Sequence, residues 1–147
     1  MCVRYIGKTL AFEWIDDSRM LVSVSGDREF STGDWKRYLG AIYAHENDNA
    51  GMRALVVAGK GKPDRTQQQD IMSLPNQDSR RVAIISESLA LRFLVSVFVL
   101  VVPQVKLFPS RQIDDALLFL GLESREAEVA RRSLDRLRED YARAAVA

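Results

Sequence analysis

The run Arg53-Ala54-Leu55-Val56-Val57-Ala58, followed at once by Gly59-Lys60-Gly61-Lys62, decides how the rest of the chain reads. Its apolar residues do not alternate with polar ones. That is the pattern of a strand covered on both faces, as in a parallel sheet. Downstream the pattern repeats. Gly59 to Arg65 is a polar loop, Thr66 to Ser73 reads as a helix, and Pro75-Asn76 ends it. Val82-Ala83-Ile84-Ile85 is another short apolar strand, and Ser86 stands where a cap for the next helix belongs. Leu89 to Val102 is ambiguous by periodicity, but it is long for a strand. Its first half, Leu89-Ala90-Leu91-Arg92-Phe93-Leu94, favours a helix that runs through Val101 until Pro103 stops it. Val105-Lys106-Leu107-Phe108 is the last strand. Pro109-Ser110 then leads into a helix with Ile113, Ala116, Leu117 and Leu120 on one face and Gly121 as its C-cap.

Upstream, Tyr5 to Trp14 is rich in strand formers, Asp16-Asp17-Ser18 is a turn, and Met20 to Ser25 alternates. Together these read as an antiparallel hairpin. Ser31 with Asp34 has the shape of a capping box. Trp35, Tyr38, Leu39, Ile42 and Tyr43 then recur at helical spacing as one apolar face, until Glu46 to Gly51 ends the helix. The tail, Glu123 to Ala147, is a further helix. Ala130, Leu134, Leu137, Tyr141 and Ala144 form its seam, and Glu128–Arg132 and Glu139–Arg143 are favourable pairs one turn apart. Strands alternating with helices imply βαβ crossovers, and so an α/β fold with a largely parallel sheet behind an antiparallel opening.

The chain has 147 residues, the size of one domain. Apolar residues make up 47% and charged residues 28%, an ordinary globular balance. A net charge of +1 gives no field for nucleic acid or anionic lipid. The single cysteine, Cys2, has no internal partner, which fits a reducing, cytoplasmic compartment. The start lacks the apolar segment of a signal peptide. Leu89–Val102, broken by Arg92 and Ser96, falls short of the roughly 20 residues a membrane span needs.

No catalytic constellation emerges. His45 is the only histidine and closes a helix, where a polar group is favoured anyway. One histidine and one cysteine do not make a transition-metal site. Asp16-Asp17 reads as a turn, and Asp114-Asp115 as the first turn of a helix. The Gly59-Lys60-Gly61-Lys62 run lacks phosphate-loop spacing, because Val56 stands where the first glycine would be needed. Such a loop still offers backbone N–H groups to an anion. No cofactor is expected, and the chain reads as a binding or regulatory module rather than an enzyme.

The element order resembles the STAS domain, named for sulfate transporters and anti-sigma-factor antagonists, and above all the stand-alone bacterial SpoIIAA-like proteins. Arg81-Val82-Ala83-Ile84-Ile85-Ser86, Leu107-Phe108-Pro109 and Asp114-Asp115-Ala116-Leu117-Leu118-Phe119-Leu120-Gly121 carry the resemblance, which covers about Met20 to Leu122. It implies a four- or five-stranded mixed sheet with packed helices, residues 1–122 as the domain, and 123–147 as part of it or as an oligomerisation element. It also implies a protein-interaction function. In the anti-sigma antagonists the loop after the central strand carries Asp-Ser-Ser-Gly, with one serine phosphorylated. Here Asp64 and Thr66 fall near that motif, with Arg65 in place of the first hydroxyl residue and Gln67 in place of glycine. Thr66 is thus the candidate phosphoacceptor. STAS-like proteins resemble CRAL-TRIO lipid-transfer domains in fold, so a carrier or sensor of a small apolar or anionic ligand is the alternative.

In an open parallel sheet, partners and ligands meet the C-terminal strand ends. Lys60, Lys62, Asp64, Arg65, Thr66, Ser86 and Glu87 are therefore the expected partner or anion site. Leu89–Val102 is expected to be core, a partner surface or the lining of a cavity. With the tail seam, it points to a homodimer.

Overall fold

The computed structural model describes residues 3–45, 51–74, 80–98 and 104–146. Six strands lie side by side in chain order. They are β1 (Arg4–Ile6), β2 (Leu10–Ile15), β3 (Met20–Ser25), β4 (Arg53–Val57), β5 (Arg81–Ile85) and β6 (Val105–Phe108). The first three are antiparallel, and β3 to β6 are parallel. The helices are α1 (Thr32–Ala44), α2 (Arg65–Met72), α3 (Leu89–Phe98), α4 (Ile113–Phe119) and α5 (Ser124–Val146). No helix among the described residues is long and apolar enough to cross a membrane.

The α/β class and the antiparallel-then-parallel order agree with the sequence reading. The strand count does not, since there are six strands rather than four or five. Tyr5 to Trp14 is two strands, broken at Gly7-Lys8-Thr9, where the Gly7 amide donates to Leu10 O at 3.0 Å. Only glycine fits there, because a Cβ would stand 2.2 Å from Asp34 Oδ1.

Capping residues set the helix starts. Ser31 Oγ accepts the Asp34 amide at 3.1 Å, as expected of a cap. Asp34 does not close the expected box. Its carboxylate instead accepts from Thr9 N at 2.8 Å, the Thr9 hydroxyl and Tyr5 OH at 2.6 Å, and so ties the β1–β2 hairpin to the start of α1. A full box occurs at α2, where Asp64 Oδ1 accepts Gln67 N at 2.8 Å and Gln67 Oε1 accepts Asp64 N at 2.9 Å. The helix predicted from Leu89 is described as far as Phe98. Its continuation through Val101 and the Pro103 stop, like Glu46 to Ala50 and Pro75-Asn76, lie outside the described residues.

The sheet has helices on both faces. Met20, Val22 and Val24 of β3 pack with Leu55, Ile85 and Phe108 under α4 and α5. Ala130, Leu134 and Leu137 of α5 are at most 1% exposed there. Ser133 Oγ donates to Glu13 Oε2 at 3.2 Å, and Arg4 bridges both Glu13 and Asp140. The tail seam is thus covered by the chain's own sheet, which removes it as an argument for a dimer. Arg143 pairs with Asp140 rather than Glu139, while Arg132 pairs with Glu128 as expected. Phe12, Trp14 and Leu21 face the other way and pack against Ala41, Ile42 and Met52 under α1. His45 closes α1 stacked on Trp14, with ring centroids 4.1 Å apart, which gives the histidine a packing role.

Candidate functional site

On the α1 face the alternation of β3 puts Leu21, Ser23 and Ser25 inward. The neighbouring parallel strand sets Ala54 beside Leu21 and Val56 beside Ser23. Small side chains therefore floor the middle of this face. Above them, Trp35 and Tyr38 of α1, Ile71 of α2 and Leu94 of α3 line a cavity of about 180 Å³. Packed interiors leave few voids larger than a water molecule. A dry cavity of roughly 150 Å³ suffices to bind benzene. Trp35 and Ile42 are buried as the apolar face of α1 predicts, but Tyr38 and Leu39 stay half-buried because the space beside them is empty.

The lining is apolar apart from a few groups. Ser23 is 1% exposed, and Arg80, just ahead of β5, is 6% exposed. The Tyr38 phenol is held above its ordinary range by burial, with the Ser23 hydroxyl and the Arg80 charge pulling the other way. Ser23 Oγ nevertheless has no hydrogen bond of ordinary length among the described residues. At the opposite wall, Trp35 Nε1 donates to Asp70 Oδ2 at 3.0 Å and Gln67 Nε2 donates to Phe30 O at 3.2 Å, joining α2 to α1 and its leading loop.

The site expected at the C-terminal strand ends is assembled in space but differs in chemistry. Ala58 N donates to Ile85 O at 2.9 Å, so the loops after β4 and β5 are neighbours. The amides of Gly59, Lys60 and Gly61 are already engaged. Gly59 N donates to Ser25 O and Gly61 N to Gly26 O, both at 3.0 Å, and Lys60 N donates to Asp27 Oδ1 at 2.8 Å. The glycines are there for close approach, because a Cβ on Gly61 would stand 2.1 Å from Arg28 O. These three amides are therefore not open to an anion. Asp64 is the cap of α2. Ser86 is buried and accepts the Ser88 amide at 3.1 Å. Glu87 Oε1 accepts the Ser110 amide at 2.7 Å, and that bond holds its carboxyl below the usual range. These three therefore fix local structure. Lys60, Lys62, Arg65 and Thr66 are exposed, and Thr66 sits in the first turn of α2.

Sequence reasoning missed Ser23, Ser25 and Arg80. The available signal was the pair of small polar residues on one face of an otherwise bulky strand. Among the described residues, no group of three or more His, Cys, Asp or Glu side chains is placed to hold a metal. Comparison with protein-family models, with curated proteins and with solved structures finds no match to this chain.

Proposed function

We propose that this chain is a non-enzymatic binding module that holds a small apolar molecule between the sheet and α1–α3, in the manner of a carrier or sensor. The cavity of about 180 Å³ beside Ser23, Ala54 and Tyr38 supports this reading. Ligand pockets are mostly apolar concavities with a few polar groups that orient the occupant, and this one has that composition. The test is a toluene titration of the full chain followed by amide and methyl NMR. Saturable shifts at Ala54, Val56 and Ile84 are expected, and their loss in Ala54→Leu. Unmoved resonances at millimolar toluene overturn the reading.

A second reading is the STAS-like one, a cytoplasmic regulatory module that binds a protein, a second copy of itself included. Leu89 and Phe93, one turn apart on the outer side of α3, are 77% and 73% exposed, and this favours it. Large exposed apolar side chains that cluster mark interaction surfaces. Light scattering at micromolar concentration should give a dimer that Phe93→Asp dissociates. A wild-type monomer removes the homodimer.

A further inference from the structure

We infer that the molecule held in the cavity is a small carboxylic acid, its apolar body beneath α1 and its carboxylate directed to Arg80, Tyr38 and Ser23. The inference rests on the binding-module reading and specifies the ligand of the same site.

Size comes first. A volume of about 180 Å³ accommodates a body the size of a benzene ring. Polarity comes next. The apolar body meets Leu94, Ile71 and Trp35 on the helices and Ala54 on the sheet. An ion enters such a space only if it is paired and hydrogen-bonded there. Arg80 supplies a buried positive charge at the wall. A guanidinium has five N–H donors, so a carboxylate takes two of them in a bidentate pair and leaves the others for protein partners. Ser23 and Tyr38 line the same cavity, and a hydroxyl can donate to an acceptor there.

The sign of the charge discriminates among ligand classes. An ammonium group would face Arg80 as a like charge in a low-dielectric space. A neutral amide would gain only neutral hydrogen bonds, about half as strong as charge-assisted ones. The exposed cations Lys60, Lys62 and Arg65 do not compete for this role, because none of them lines the cavity.

The test is calorimetric and NMR titration of the full chain with benzoate, benzamide, toluene and benzylamine, four probes of similar body. Benzoate is expected to bind at least about tenfold more tightly than benzamide, the gain of one charge-assisted pair over a neutral one. Benzylamine is expected to bind most weakly. Arg80→Lys keeps the charge but loses the fork and should cut the benzoate preference, while toluene affinity stays the same. If benzamide or toluene matches benzoate in the wild-type chain, the acid is wrong and the cavity reading stands. If none of the four perturbs the cavity resonances, both fall.

Discussion

The two faces of the sheet share six strands and differ in what covers them. On β3, Met20, Val22 and Val24 face α4 and α5 and pack with Leu117, Leu120, Leu134 and Leu137, leucines that are each at most 3% exposed. The intervening Leu21, Ser23 and Ser25 face α1 to α3 and line a cavity. One strand thus carries a bulky row on one side and a small one on the other. Side chains of a strand alternate between faces, so two residue choices at Ser23 and Ser25 hollow one layer without touching its neighbour. The filled layer holds the fold, which leaves the other layer free to be imperfectly packed.

Truncation should separate the faces most widely. Leu134→Ala, at a site 1% exposed, is expected to lose about 2–5 kcal/mol. Leu39→Ala, half-buried beside the cavity, should lose only about 1 kcal/mol. Urea unfolding measures both, and equal losses would break the comparison.

Enlargement should then act with opposite signs. Ala130→Leu overpacks the filled face and is expected to cost about 1–3 kcal/mol. Ala54→Leu grows into the void and should gain about 0.5–2 kcal/mol, as cavity-filling changes commonly do. Melting temperatures moving the same way would mean that the void is not real in solution.

A smaller effect is expected at the start of α1, the fixed end of the cavity roof. Burial pushes the Asp34 carboxyl up, but hydrogen bonds from the Thr9 hydroxyl, Tyr5, the Thr9 amide and Ser31 together pull it below its ordinary value. A depressed carboxyl contributes fully above its unfolded value, near pH ~3.9, and the contribution is lost as pH falls through the lower folded value. Stability of the native chain should therefore fall more steeply on that acid limb than stability of Asp34→Asn. Parallel curves would show that Asp34 does not couple to folding.

The smallest effect belongs to the basic loop. Lys60→Glu with Lys62→Glu should change stability by less than about 0.5 kcal/mol, because both side chains are exposed. A clear drop in melting temperature would give that loop a structural role beyond its glycines.

The apolar runs at Leu55 and Ile84 identified the parallel strands correctly, because a strand covered twice has no polar side to show. Caps at Ser31 and Gly121 were equally plain. The break at Gly7 was not. A three-residue turn inside a strand-forming run has one glycine as its signal, and what demands that glycine is Asp34, far along the chain. The tail shows the same limit. Periodicity gave the seam of Ala130, Leu134 and Leu137 but not the surface that covers it. The apolar run at Leu89 offers a cavity wall as one of its readings, and Leu94 and Val95 do line one, but the floor is not legible, since it arises where Ser23, Ala54 and Arg80 converge from three strand regions. The charged loop stands out in the sequence because charge is local, but the amides of Gly59, Lys60 and Gly61 are engaged by Ser25, Asp27 and Gly26.

The stack of His45 on Trp14 has a spectroscopic consequence. The chain has two tryptophans, and an imidazole stacked on an indole with ring centroids 4.1 Å apart quenches that indole's emission when the imidazole is protonated. Emission should then come mainly from Trp35, whose indole lines the cavity and donates its N–H to Asp70. An occupant would displace whatever lies against that ring and shift the emission colour. The molecule thus carries a built-in fluorophore on the wall of its own cavity, and an acid arriving there should be visible without any label.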